Sequence, residues 1–262
     1  MSYLQYFKPR TPSLRHKVGV IRVDFLKNQK HFSLLTPKSS FSGRNNSGRI
    51  TVRHRSGSWK NKRLVIVDRL RLKIILAALL VGIFKQKSNM SFFGLIKYSN
   101  GAYSYIPLAH EVKLNTLIKE SSFLTKRAKL PLGSLEYFLS RHVTHRFFNL
   151  CSLNKKRSIY ARAAGTFCTF IKKNVEKNIL KIILPSGQYK ILTADYYATV
   201  GRASNIFAYK LVPGKAGSNR RGGIRPTVRG VAMNPIDHPN GGRTKTNQPE
   251  KNPWGKIARK SK

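Results

Sequence analysis

Two stretches of the chain hold most of the side chains with chemistry to offer. Residues 43–55 read Gly-Arg-Asn-Asn-Ser-Gly-Arg-Ile-Thr-Val-Arg-His-Arg. Arginine forks onto phosphate oxygens, glycine admits a close backbone, and amides reach base or sugar edges. This assigns Arg44, Asn45, Arg49, Arg53, His54 and Arg55 to an anionic, nucleic-acid-like partner. Gly43 and Gly48 have the P-loop spacing, but Arg-Ile follows instead of Lys-Ser/Thr, so a nucleoside-triphosphate cradle is disfavoured. Strand alternation would set Arg49, Arg53 and Arg55 on one phosphate-facing side of a ribbon.

The second stretch, residues 214–242, adds Lys215, Arg220, Arg221, Arg225 and Arg229, then Asn234, Asp237 and His238, with Arg243 just beyond. Its prolines fix an extended path and its glycines remove bulk where backbone meets RNA. Asp237 beside His238 has two readings at this level. It orients the imidazole or accepts from a ribose hydroxyl, as in an RNA-binding loop. Otherwise the two residues form the general acid–base pair of an RNA-processing enzyme. The four Asp and five Glu of the chain are scattered, which leaves a metal-assisted nuclease without ligands. The expectation is a binding protein with no catalytic residue and no cofactor, apart from Mg or K ions belonging to the RNA. An RNA chaperone without a single fixed binding site is a third reading.

Composition agrees with a polyanionic partner. The 262 residues carry 51 Lys+Arg against 9 Asp+Glu, a net charge of +42. Such self-repulsion opposes a compact state unless a polyanion neutralises it. With 40% apolar and 10% aromatic residues, the chain is too hydrophobic for a disordered polycation. Two cysteines, Cys151 and Cys168, make no disulfide framework, and Cys168 between aromatic neighbours reads as core. His142 and His145 are spaced like a metal pair but lack further ligands. Trp59 and Trp254 either stack on bases or cover apolar surface.

The elements that must position these residues are strands. The apolar run 74–84 is far shorter than the ~20 residues of a membrane helix and reads as core, so no membrane span is expected. Residues 63–68 are strand-like; residues 91–98, a Ser-Asn-Gly turn and residues 102–106 form one hairpin. Residues 165–171 and 179–184, Pro185-Ser186-Gly187 and residues 188–192 form a second cluster. Residues 114–124 are a loop or a short helix. No internal repeat is visible. These strands predict an all-β chain with two small barrels. A basic extension spans 1–42, the barrels span 43–126 and 127–205, and a Gly/Pro/Arg-rich tail spans 206–262. Residues 201–262 hold 9 of the 19 Gly and 6 of the 12 Pro, which makes the tail extended and irregular.

Residues 43–54, and above all Arg-Pro-Thr-Val-Arg-Gly-Val-Ala-Met-Asn-Pro-Ile-Asp-His-Pro at 225–239, closely resemble the ribosomal protein L2 (uL2) family. Weaker matches lie at 130–134, 161–166, 185–187 and 198–201. The resemblance implies an OB-like barrel followed by an SH3-like barrel, with extended terminal segments in ribosomal RNA. It implies a structural role in the large subunit, in assembly, subunit association and the peptidyl transferase region. The implied partners are large-subunit rRNA and other ribosomal proteins, with tRNA and the small subunit reached indirectly. His238 matches a family histidine of the C-terminal loop. The chain departs from the family pattern at residues 56–60, Ser-Gly-Ser-Trp-Lys. Lys (29) exceeds Arg (22), and Ile, Asn, Phe and Tyr are abundant, as AT-rich coding produces. The expectation is a protein encoded and used in a mitochondrion, with a plastid second and a bacterium third; because the resemblance begins near Lys8 and Pro9, no cleaved presequence is expected.

Overall fold

The computed structural model describes residues 2–22, 32–37, 42–57, 63–65, 67–68, 76–85, 90–119, 131–137, 146–152, 157–174, 176–193, 196–242 and 249–258. It forms two compact units: residues 1–39 with 59–218, and residues 40–58 with 219–262. The architecture is all-β, as the sequence led us to expect.

In the larger unit, β1 (Ser2–Tyr6) pairs antiparallel with β2 (Val18–Arg22), and the four-residue helix α1 (Pro12–Arg15) lies between them. Two short strands, β3 (Leu35–Pro37) and β4 (Arg63–Val65), also pair. The first large sheet uses β5 (Ala78–Lys85), β6 (Phe92–Tyr98), β7 (Tyr103–Pro107) and β8 (Leu117–Ile118) in the order β7-β6-β5-β8. Residues 78–84 of the apolar run thus lie in a core strand. Its Leu80 and Ile83 are fully enclosed. Gly94 of β6 makes this possible, since a Cβ there would stand 2.6 Å from Leu80 Cδ1. The β6–β7 hairpin closes at Gly101, whose φ of +83° favours glycine, with Gly101 N–H donating to the Tyr98 carbonyl. Among the described residues 108–119 the chain contains β8 and no helix.

The second sheet has seven strands. They are β9 (Leu135–Tyr137), β10 (Arg146–Ser152), β11 (Arg157–Tyr160), β12 (Cys168–Asn174), β13 (Ile179–Ile183), β14 (Tyr189–Thr193) and β15 (Tyr196–Val200). The order is β14-β13-β12-β10-β15-β9, with β11 also on β10. The expected 185–187 turn joins β13 to β14, with Gly187 at φ +85°. Phe147 sits mid-sheet, opposite Cys168 on one side and Val200 on the other. The two sheets meet through backbone as well as side chains. Ser204 Oγ accepts from Phe92 N–H at 2.9 Å, and Ser204 N–H donates to the Leu108 carbonyl at 3.0 Å. One hydrophobic cluster runs through both sheets, from Leu80, Phe92 and Leu108 to Phe147, Phe148 and Leu180.

The chain leaves this unit within the six-residue helix α2 (Ala216–Arg221). Among the described residues no helix is long and apolar enough to cross a membrane.

Candidate nucleic-acid interface

The smaller unit is built from the two basic blocks of the sequence. They are tied together by backbone. Arg225 N–H donates to the His54 carbonyl (3.1 Å), Ser56 N–H donates to the Gly223 carbonyl (2.9 Å), and Arg55 bridges Ile224 antiparallel. His54 Nδ1 lies 3.3 Å from the Pro226 carbonyl oxygen, so the Nδ1–H tautomer donates there. His54 itself turns the chain at φ +60°.

Residues 49–55 are therefore not a ribbon. Bends at Thr51 and Val52 and the turn at Arg53 and His54 replace the expected alternation. The cause is the backbone around Gly43. Its carbonyl accepts from the N–H groups of Thr51 (2.9 Å) and Val52 (3.0 Å) and from Thr51 Oγ1 (3.2 Å). Gly43 has φ +74°, and a Cβ would fall 2.0 Å from the Val52 oxygen, so only glycine fits. The strand periodicity read from arginine spacing yields to this local ring of hydrogen bonds.

Asn45 organises the preceding turn. Its Oδ1 accepts from Arg49 N–H (2.8 Å) and Ser47 Oγ (2.9 Å), while Asn45 N–H donates to the Arg49 carbonyl (2.9 Å). The same device recurs near the C-terminus. Asn252 Oδ1 accepts from Lys256 N–H (2.9 Å) and Trp254 N–H (3.1 Å), and Asn252 N–H donates to the Lys256 carbonyl (2.8 Å). Gly48 and Gly255 occupy the same place with φ +77° and +82°. Arg44 bridges Ile50 as Lys251 bridges Ile257. Residues 44–50 and 251–257 thus share the pattern basic-Asn-x-x-Gly-basic-Ile. So short a repeat does not stand out from the sequence, and the hydrogen bonding shows why its positions correspond.

Residues 229–242 fold on themselves around His238. The Asn234 carbonyl accepts from the N–H groups of Asp237 (3.0 Å) and His238 (3.2 Å), and Gly242 N–H donates to the Met233 carbonyl (3.1 Å). His238 is 7% exposed. Its ring fills the space above Gly230, where a Cβ would come within 2.4 Å. Nδ1 accepts from Asn240 N–H at 3.1 Å. The group that orients the imidazole is thus the Asn240 amide, and the Asp237 carboxylate is left exposed. Asn240 extends the arrangement by pairing its side-chain amide with both backbone groups of Lys251, at 3.1 and 3.2 Å. Gly230 and Asn240 are the site residues that sequence reasoning missed. Gly230 lay within the matched block, whereas Asn240 stands just beyond it, where the chain departs from the family pattern.

Arg44, Arg49, Arg53, Arg55, Arg220, Arg221, Arg225 and Arg229 are all exposed and belong to this unit. Asn45, His54, Asn234, Asp237 and His238 belong to it too. Lys215 is exposed but belongs to the larger unit. Arg243, His142, His145 and Trp59 lie outside the described residues; Trp254 is 64% exposed. No metal-binding cluster occurs among the described residues. In the larger unit, Cys168 is enclosed as expected, and burial pushes its thiol up to about 12.

Comparison with known proteins decides the family. The model for the C-terminal domain of ribosomal proteins L2 matches residues 143–255, and that for their RNA-binding N-terminal domain matches residues 15–118. The chain belongs to the ribosomal protein L2 family. It is 36% identical to the large ribosomal subunit protein uL2 of Rickettsia akari over 255 residues, covering 96% of this chain and 91% of that protein. Against uL2 of Methylocella silvestris the identity is 36%, covering 99% and 91% of the two chains. Against that of Rhodospirillum centenum it is 33%, covering 99% and 93%. The L2 family is one of structural ribosomal proteins, and the acid–base reading of Asp237 and His238 is set aside with it.

Proposed function

We propose that this chain is a structural constituent of the large ribosomal subunit that holds ribosomal RNA chiefly through its smaller unit. Family membership supports the ribosomal role. One observation carries the assignment to the smaller unit: two basic blocks far apart in sequence are joined by backbone into one body that turns its arginines outward. Arg44, Arg49, Arg53, Arg55, Arg220, Arg225 and Arg229 contact phosphates. Asn45 and His238 hold the loops that aim them, and Lys215 and Arg243 add positive charge for the same polyanion. On this reading the 229–242 loop supports the peptidyl transferase region. Through the RNA the protein aids assembly and subunit association, with tRNA and the small subunit as indirect partners.

The organelle follows from composition. The excess of Lys over Arg and the abundance of Ile, Asn, Phe and Tyr favour a mitochondrial ribosome, with a plastid next, although the relatives named above are bacterial.

A tagged chain sediments with large-subunit particles and co-purifies with mitochondria under this proposal. Migration away from the particles removes the ribosomal role, and recovery in another compartment removes the organelle. RNA affinity falls steeply with salt, because each phosphate contact releases counterion. Arg229→Ala lowers particle yield and flattens that slope by about one contact.

A further inference from the structure

We infer that the smaller unit contains a pocket for the base of an unpaired RNA nucleotide, a specific subsite within the RNA-binding role proposed above. A concave pocket of about 230 Å³ opens where residues 42–55 meet residues 225–233. Its lining has two chemistries. Ile50, Val52 and Val228 supply apolar surface, and each is about half exposed. Arg44, Arg53, Arg55 and Arg225 also line it, and no acidic residue among those described does.

Each feature narrows the occupant. Exposed aliphatic side chains held in one concavity are costly in water and want a flat apolar face. Four guanidinium groups repel one another unless an anion sits among them, and their planes stack on bases. The volume lies below the roughly 300–1,000 Å³ of sites for drug-sized ligands, yet holds several waters at about 30 Å³ each. One planar ring with its phosphate outside suits that space. A paired base is unavailable to such a pocket, since its faces are covered in the duplex. RNA proteins commonly read bases splayed from loops and bulges.

The pocket is also pre-formed. Gly43 lets Val52 and Arg55 approach, the Gly43 carbonyl fixes Thr51 and Val52, and the Pro226 side is held by His54. Little ordering remains for the nucleotide to impose, which favours affinity. An acidic peptide would satisfy the arginines but leave the aliphatic floor without a planar partner.

The test uses the full chain and two synthetic RNA hairpins of equal length, one fully paired and one with a single 2-aminopurine bulge. The bulged RNA binds about tenfold to a hundredfold tighter, the worth of one stacked base, and its emission shifts to the blue on binding. Val52→Phe and Val228→Phe fill the pocket without changing charge. Each abolishes that preference, while affinity for the paired hairpin and its salt slope stay as in the parent. Equal binding of the two hairpins by the parent chain overturns the pocket, as does a preference that survives both fillings. Competition by polyglutamate as effective as that by bulged RNA of equal charge assigns the site to acidic peptides and also overturns it. Failure to bind either hairpin removes the RNA-binding reading itself. The parent-chain comparison needs no variant, so the pocket can be overturned even where a variant misfolds.

Discussion

The two units of this protein are held together by different physics. In the larger one every strand of the two main sheets except β9 contributes to a continuous apolar interior, and all buried hydrophobic residues among those described lie between Ala78 and Ala203. In the smaller one the buried residues, among those described, are Gly223, His238 and Gly241. There, hydrocarbon faces water: Ile50, Val52, Ile224, Val228 and Ile236 are all exposed, Ile236 by 93%. What fixes the smaller unit is a net of backbone and asparagine hydrogen bonds, each worth only about 1 kcal/mol net. Burying an average apolar side chain yields roughly 1.5–3 kcal/mol. One unit therefore has ample reason to fold alone. The other carries strong positive charge, with Asp237 and Glu250 its acids, and gains most of its stability when an anion joins it.

The largest effect expected from breaking this contrast is in the larger unit. Phe147→Ala removes a fully enclosed ring from the middle of the second sheet and costs about 3–5 kcal/mol. Thermal unfolding monitored by circular dichroism shows a large fall in midpoint. A substitution of this size at any described side chain of the smaller unit would contradict the absence of an apolar interior there.

Next comes Gly43→Ala. The new Cβ meets the Val52 oxygen at 2.0 Å on a left-handed backbone, whereas Gly48 has the same handedness and nothing within 4 Å. Gly48→Ala then costs about 1 kcal/mol from conformation alone. Gly43→Ala costs at least twice that and weakens RNA binding sharply. Amide exchange separates the units. The Thr51 and Val52 amides lose protection in Gly43→Ala, while the β10 amides keep theirs. Loss of β10 protection as well would mean that the units unfold as one.

This contrast also marks what could be read from sequence. The hairpin 92–107, the 179–193 hairpin and the core strand within 74–84 were legible because hydrophobic periodicity and turn residues report on burial, and burial organises the larger unit. The basic residues of the smaller unit were legible by type, since charge needs no fold to be noticed. Their arrangement was not. That Arg225 would bond His54, that Asn45 and Asn252 would shape equivalent turns, and that Asn240 rather than Asp237 would orient His238 all depend on backbone hydrogen bonds. Such bonds leave no periodic trace in residue types. The arginine spacing at 49, 53 and 55 misled for the same reason.

The repeated turn gives a smaller, sharper probe. Asn45→Ala and Asn252→Ala each remove an acceptor that serves two donors, and each costs about 1 kcal/mol of local stability. The effects add, because the hydrogen bonds that shape one turn are separate from those that shape the other. Amide exchange at Arg49 and Lys256 reads them independently. If Asn252→Ala leaves Lys256 protected, the equivalence of the two turns is superficial.

The gentlest test leaves the sequence intact. Both cysteines are buried in the larger unit, and the smaller unit has none, so thiol labelling reports only on opening of the larger one. Burial raises the Cys168 thiol from 9.0 to about 12. Reactivity follows the thiolate, so at pH 8 the folded chain reacts far more slowly there than the unfolded chain. The sign for stability follows from the same shift. Below pH 9 the thiol is neutral in both states and the folded state loses nothing. Between 9 and 12 the unfolded chain ionises while the folded one resists, so stability declines as pH rises through that window. Cys168→Ala has a constant offset from the lost sulfur but a shallower decline over the same range. RNA added at neutral pH slows the labelling of the parent chain only if it also holds the larger unit closed. Unchanged labelling, beside new amide protection at Thr51 and Val52, places its stabilising effect in the coreless unit, where the charge left most to gain.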